Sequence, residues 1–401
     1  MYKQMLQVME NQSAAQLAEK GSARALWFNE WAKLTLRAFE PDKKVVYASM
    51  YAFPAEILAA FDVVPFDFEL ASGMIASTEM GVPVMTEAES RGYPFDMCSF
   101  HRLSIGAAHK EYFPTPALLI TTSFFCDGKG KTNEILARLY GKESLLLYVP
   151  SEINKDSVSY VEKQLREIVV KIGQVTGRGF DEDRLKEAVR SFNRARRSHL
   201  RLLDLLKHRP APWGGLTLIA YSVNSLLFMG TETKERLNEA FIRELEQKIE
   251  TGDLRPERHR IYWFAWIPTY RSNVFEILKE HEVGVPLCET FRMYLDEVDE
   301  GNPFEGLALR CLENPFVGQA ARRTAKFDTV MKEYGIDGAI LFATPACRHS
   351  KCGYRLLQDS LAERGVPLLT LGMDIADPRG YSPEQTKTRL ESFIEMLERS
   401  H

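Results

Sequence analysis

At 401 residues the chain has room for two or three domains, and its 45% hydrophobic and 26% charged residues are those of an ordinary soluble globular protein. A formal net charge of −4 without a basic block excludes an obvious nucleic-acid partner, and no apolar run reaches the ~18 residues of a membrane span. The N-terminus lacks the apolar core of a signal peptide, so the six cysteines predict cytoplasmic thiols used for metal or catalysis, not disulfides.

Residues 1–45 read as helical, with Trp27, Phe28, Trp31, Leu34 and Leu36 at helical spacing. Lys43 to Ala48 predicts the first strand, and Pro54 opens the next helix. Glu56, in that helix's first turn, is a candidate acid/base or polar wall; it also suits a carboxylate favoured by the helix dipole. Val63 to Phe66 predicts a second strand, and residues 71–94 read as helix fragments and loop. Cys98 precedes a helix with Asp96 and Ser99 as possible caps, and helix N-termini favour thiolates. His101 and His109 on that helix are not at the i, i+4 spacing of a metal pair, and read as packing or surface residues.

Ala117 to Phe125 is an apolar, β-branched and aromatic run, as in a strand covered on both faces. It ends at Cys126-Asp127-Gly128, where Asp-Gly predicts a turn and Thr132-Asn133 a cap for the helix beyond. A cysteine at the carboxyl end of a parallel strand sits where open α/β sheets place ligands. Gly128 to Thr132 lacks the spacing of a phosphate loop. Leu145 to Tyr148 predicts a strand that closes a first α/β lobe, residues 1–152 with their N-terminal helices.

Residues 153–252 predict a helical connector packed across the mouth between two lobes: Ser157 to Gly173, Asp181 to about Leu206, Leu216 to Met229 and Glu232 to Thr251, broken at His208 to Gly215. Residues 253–401 predict a second α/β lobe. Its strands are Arg260 to Trp266, Val283 to Leu287, Asp337 to Thr344 and Val366 to Leu371. Its helices are Asn273 to Glu280, Gly318 to Tyr334, about Tyr354 to Arg364 and Pro383 to Glu398. Alternating strands and helices imply parallel sheets. Cys347 repeats the strand–cysteine–helix arrangement of Cys126. Three thiolates at separate element ends suit an iron–sulfur cluster with one iron left open, although the chain has no Cys-x-x-Cys run of the zinc or ferredoxin kind.

Several stretches together resemble one family. They are Pro54-x-Glu56-Ile57-x-Ala59-Ala60, Cys98-Ser99, Cys126-Asp127-Gly128, Thr176-Gly177, Asn193-x-x-Arg196 and Ile336 to Cys347, followed by Gly365-x-Pro367, Asp374, Asp377, Gln385, Arg389, Phe393 and Glu395. In order and spacing the chain resembles the benzoyl-CoA reductase / 2-hydroxyacyl-CoA dehydratase subunits (2-hydroxyglutaryl-CoA dehydratase D-component-like), oxygen-sensitive iron–sulfur proteins of anaerobes. Phe61 departs from the glycine usual there.

The resemblance implies two flavodoxin-like lobes with parallel sheets, joined by helices, and a [4Fe-4S] cluster between them held by Cys98, Cys126 and Cys347, with Cys352 the alternative to the last. It also implies an ATP-dependent iron–sulfur activator protein, because this chain has no phosphate loop, and a homologous second subunit in a heterodimer. The reaction implied is one-electron reduction of an acyl-CoA thioester to a ketyl radical, with the open iron as Lewis acid. It leads to 2-hydroxyacyl-CoA dehydration (a lyase) or benzoyl-CoA-type ring reduction (an oxidoreductase). His349 and the pair Asp374 and Asp377 are then candidates for hydrogen bonding or positioning near the site, and Arg322, Arg323 and Lys326 for CoA phosphates, each against an ordinary loop or solvated-surface role. The alternatives are an electron-relay or non-catalytic companion subunit, a double-cubane-type small-molecule reductase, whose six cysteines this chain matches in number although Cys288 and Cys311 fall outside the motifs of such proteins, or a cluster-free binding module.

Overall fold

The computed structural model describes residues 1–325, 327–351 and 353–399; Lys326 and Cys352 lie outside the described residues. Two helices, α1 (Tyr2–Lys20) and α2 (Ala23–Arg37), come first. The first sheet and its helices follow as β1 (Val45–Ala48), α3 (Ala55–Ala59), β2 (Val64–Phe66), α4 (Phe68–Ala76), α5 (Gly81–Ser90), α6 (Ser99–His109), β3 (Leu118–Thr122), α7 (Asp127–Tyr140) and β4 (Ser144–Leu147). The chain is then helical through α8 (Lys155–Thr176), α9 (Glu182–Leu205), α10 (Gly215–Asn224) and α11 (Glu232–Thr251). The second sheet runs β5 (His259–Ala265), α12 (Val274–Glu280), β6 (Val283–Cys288), α13 (Pro303–Glu313), α14 (Phe327–Tyr334), β7 (Gly338–Phe342), α15 (Arg348–Lys351), α16 (Tyr354–Ala362), β8 (Leu368–Leu371) and α17 (Pro383–Arg399).

Both sheets are parallel throughout, and both use the same order, β2-β1-β3-β4 and β6-β5-β7-β8. The four central strands β1, β3, β5 and β7 are buried at every residue, which accounts for their mainly apolar sequences, with His259 and Arg260 opening β5 and Thr121 and Thr122 closing β3. The edge strands β4 and β8 are only partly buried. These are two flavodoxin-like lobes. In each, the strand order reverses between the two central strands, and the crevice at their carboxyl ends is where such sheets bind ligands.

The intervening helices reach both lobes: α8 packs on β3, β4 and α13, α10 packs on β6, and α11 packs on α2 and α9. Helices α5 and α6 cross so closely that a Cβ on Gly106 would lie 1.9 Å from the Val84 carbonyl oxygen, so only glycine fits there. No helix among the described residues is long and apolar enough to cross a membrane.

Three local expectations need correction. The strand predicted to Phe125 stops at Thr122, because Phe125 takes a left-handed backbone (φ 77°) that no strand accommodates. The predicted Asp-Gly turn is the first turn of α7, where the Asp127 carboxylate suits the helix dipole, so Thr132-Asn133 lies inside the helix instead of capping it. Residues 71–94 are helix segments and loop as expected: α4 runs to Ala76, α5 spans Gly81–Ser90, and Asp67 caps α4, its side chain accepting from the Glu69 and Leu70 amides. The segment Gly318 to Tyr334 divides into a 3-10 turn, Ala320–Arg323, and α14.

Candidate functional site

The carboxyl ends of the equivalent strands β3 and β7 each lead to a cysteine. Cys126 is the N-cap of α7, and Cys347 lies between β7 and α15. Cys98 is itself the N-cap of α6, so neither Asp96 nor Ser99 occupies the cap position. All three thiols are free, and all three line one cavity between the two sheets. Its walls are largely aromatic, with Tyr51, Phe100, Phe125, Trp266 and Phe316 among them. Phe125 and Ala265, at the ends of the approaches from β3 and β5, both have φ above 60° although neither is glycine, and both line the cavity. Strained backbone of this kind collects at functional sites because the surrounding packing must hold it.

Contacts between the lobes fix the thiols' surroundings. Ser99, next to Cys98, donates to Asp374 of the second lobe, and the same carboxylate accepts from the Ala376 and Asp377 amides at 2.9 Å each. Asp377 accepts from Arg102 of α6 at 3.0 Å and pairs with Arg379. The two aspartates therefore clamp the Cys98 helix to the second lobe. The Ser350 amide donates to Cys347 Sγ at 3.4 Å.

His101, read from the sequence as a packing or surface residue, is a packed one. It is buried, its Nε2 lies 3.0 Å from Glu69 and 3.8 Å from Cys126 Sγ, and it lines the cavity. Ligand atoms of Glu69, His101 and Cys126 all lie within 4.8 Å of one another. Burial opposes the imidazolium, but Cys126 and Glu69 outweigh it and raise His101 to about 9. Behind Glu69 stands the buried Lys129, whose ammonium donates to Glu69 at 2.7 Å, to Tyr51 Oη at 2.8 Å and to Asp67 at 3.3 Å. Asp67 in turn accepts from the Met50 amide at 3.0 Å, which sets the loop after β1 that carries Tyr51.

Burial works to raise the Glu69 carboxyl, yet Lys129 and His101 hold it down at about 2. A carboxyl lowered on folding contributes stability above its ordinary 4.5 and loses it as pH falls toward 2. The stability gap between wild type and Glu69→Gln should therefore be full above that ordinary value and narrow steadily below it, as read by urea unfolding at a series of pH values. Gly128 faces the same imidazole: a Cβ there would lie 2.7 Å from His101 Cε1 and 2.8 Å from Nδ1. Gly128→Ala should cost about 1–3 kcal/mol in denaturant unfolding, since the buried ring has little room to yield.

The thiols also act on one another. Burial raises Cys98 well above its ordinary value, and Cys126, Glu69 and Cys347 add to the rise; burial likewise raises Cys347, with Cys126 contributing. Thiols that oppose one another's ionisation suit a cationic guest, which would take all three as thiolates. His349 stacks on Phe125 at 5.1 Å between ring centroids, lines the cavity, and keeps a buried Nε2 without a hydrogen-bond partner among the described residues. Burial and Arg323 lower it to about 4, so it is a neutral imidazole. The donor set therefore fits an iron–sulfur cluster: three thiols, an adjacent imidazolium and an unpartnered neutral imidazole.

Other candidates lie elsewhere. Glu56 does not line this cavity; its carboxylate is fully buried in a two-hydrogen-bond ion pair with Arg310 of α13, at 2.7 and 2.6 Å. Arg323 is paired with Glu289, and Arg322 donates to the carbonyls of Leu312, Val317 and Ser151, so neither is a solvated cation awaiting phosphate. Cys288 and Cys311 are buried away from the cavity; Cys288 lies 3.4 Å from the Thr290 hydroxyl. Phe61 packs on Phe180 at 5.5 Å between ring centroids. Tyr51, Glu69 and Lys129 carry no motif; the placement of Tyr51 just after β1, at the switch point, was the available signal.

Comparison with known proteins agrees with this architecture. The chain is 26% identical over 398 residues to a benzoyl-CoA reductase subunit of Thauera aromatica, with 90% of each chain covered. It is 22% identical over 382 residues to the (R)-phenyllactyl-CoA dehydratase alpha subunit of Clostridium sporogenes, covering 90% of this chain and 91% of that one. To the (R)-2-hydroxyglutaryl-CoA dehydratase alpha subunit of Acidaminococcus fermentans it is 24% identical over 299 residues, 71% of this chain and 61% of the relative. The profile of the family described as 2-hydroxyglutaryl-CoA dehydratase, D-component, matches residues 50–397, from the loop after β1 to the last helix. The chain belongs to the 2-hydroxyglutaryl-CoA dehydratase D-component family.

Proposed function

We propose that this chain is the iron–sulfur subunit of an oxygen-sensitive cytoplasmic enzyme acting on a CoA thioester, with Cys98, Cys126 and Cys347 as the protein ligands of a [4Fe-4S] cluster. The observation that carries this reading is the meeting of three free thiols, two from equivalent strand ends and one from a helix cap, in a single cavity between the lobes. Relatives named for benzoyl-CoA reduction and for 2-hydroxyacyl-CoA dehydration support the thioester as substrate.

When bound, the cluster supplies one electron at low potential to the thioester. The chain's own residues do the rest. The aromatic walls keep water from the site and so strengthen each electrostatic contact within it. Charged His101 stays beside the Cys126 sulfur, a contact of the kind that tunes a cluster's potential. Tyr51 Oη accepts from Lys129, so its own proton is left to donate to an oxygen in the cavity, and the neighbouring ammonium steadies the phenolate that results. The relatives are named as subunits, which supports a homologous partner subunit. The absence of a phosphate loop from the sequence supports a separate ATP-dependent activator.

Acyl-CoA added to the anaerobically reduced protein should change its low-temperature EPR spectrum, whereas free CoA should leave it unaltered. A spectrum indifferent to every thioester tried would remove the catalytic role.

A further inference from the structure

A second, larger cleft adjoins the thiol cavity. It has a volume of about 430 Å³ and shares the walls Tyr51, Glu69, Phe100 and Trp266 with the cavity, so the two lie side by side. Volumes of this order take a small organic ligand. Its walls come from α2, α4, α10 and the loop after β5, and are mainly apolar: Trp27, Trp31, Leu70, Met74, Ile219 and Val223.

The charges along this cleft are distributed unevenly. Inside, the Glu69 carboxylate is already taken by Lys129 and His101. The other two charged lining residues, Arg24 and Arg271, are exposed. A carboxylate brought among the inner walls would lose its water and find no free cation among the described residues, which is costly. An aromatic ring there would meet aromatic faces at no such cost. Two cations at the open side suit a polyanionic tail that stays in solvent.

We propose that this cleft holds the acyl group of the CoA thioester and selects a bulky, uncharged aromatic acyl group over a dicarboxylic one, with Arg24 and Arg271 facing the nucleotide end of CoA. The proposal rests on the acyl-CoA reading above. It concerns which acyl group, and it does not need the cluster to be present.

Three of the chain's five tryptophans, Trp27, Trp31 and Trp266, line the cleft, so intrinsic fluorescence reports its occupation. The anaerobically purified protein would be titrated with 3-phenylpropanoyl-CoA, glutaryl-CoA and free CoA, with iron measured on the same samples. The expected result is that 3-phenylpropanoyl-CoA binds at least about tenfold more tightly than either of the others. Two substitutions probe the wall. A Cβ on Gly73 would sit 3.5 Å from Phe100 and 3.6 Å from Thr269, which are ordinary contacts, so Gly73→Leu adds bulk to the cleft without a backbone clash. Leu216 is 49% exposed at the cleft, so Leu216→Glu places a carboxylate there at little risk to folding. Both variants should bring 3-phenylpropanoyl-CoA down to the affinity of free CoA and keep the wild-type iron content. Equal or tighter binding of glutaryl-CoA by wild type, or selectivity that survives both substitutions, would overturn the proposal whatever the iron content. Selectivity without iron would uphold it and remove the cluster reading instead.

Discussion

Alanine at Cys98, Cys126 or Cys347 is expected to strip essentially all bound iron from the protein, and any one replacement should do as much damage as all three. A cluster held by three thiolates has no spare protein ligand, and these three come from three element ends that the fold brings to one cavity. Among the described residues His101 is engaged by Glu69, Cys288 and Cys311 are buried elsewhere, and the neutral imidazole of His349 is a single weaker donor that does not replace a thiolate's charge. Cys311→Ala should keep its iron and lose about 1 kcal/mol of stability, as a modest truncation in a core does. Cys352→Ala should also keep its iron. Iron and sulfide per chain, measured on anaerobically purified variants, check the whole series. Loss of iron in Cys352→Ala with retention in Cys347→Ala would move the third ligand.

The largest stability effect should come from the pair formed by Glu56 and Arg310. Glu56 lies on α3 in the first lobe and Arg310 on α13 in the second; the guanidinium also lies 4.5 Å from the Phe192 ring of α9 and 5.2 Å from that of Tyr294. One buried contact thus ties both lobes to the connecting helices. Gly230 closes over it with a left-handed backbone, φ 75°, where a Cβ would come within 2.8 Å of Glu56 Cγ. Removing either partner leaves the other charge buried and unpaired, so Glu56→Ala and Arg310→Met should each cost about 3–5 kcal/mol. The double variant should recover part of that loss, with a coupling of about 2–3 kcal/mol in a urea-unfolding cycle. Additive losses, or a Glu56→Ala protein of wild-type stability but no turnover, would instead return Glu56 to an acid/base role.

What was legible in the sequence follows from what each pattern encodes. The strand–cysteine units at Cys126 and Cys347 could be read because a central parallel strand, buried on both faces, is an unbroken apolar run, and its carboxyl end is where such folds carry chemistry. The point at which β3 stops was not legible, because it depends on the left-handed backbone of Phe125, which the packing around the cavity holds in place. The partners of His101 were not legible for a related reason. Its spacing to His109 was the only local evidence, whereas its actual partners are Glu69 on α4 and Cys126 at the start of α7. Lys129 carried no pattern of its own, and its partners Tyr51, Asp67 and Glu69 come from distant parts of the chain. Arg323 looked like a solvated helix cation until the fold supplied Glu289. Local patterns therefore disclosed the strands and the thiols, while the buried charges around them were settled by tertiary pairing.

The most direct measurement is the iron and sulfide content of the wild-type chain, purified under strict anoxia and examined by EPR before and after reduction. The account predicts about four irons and four sulfides per chain, with a paramagnetic signal that appears on reduction. A colourless protein without iron would contradict the three-thiolate site, and about eight irons per chain would contradict a single cluster held by Cys98, Cys126 and Cys347.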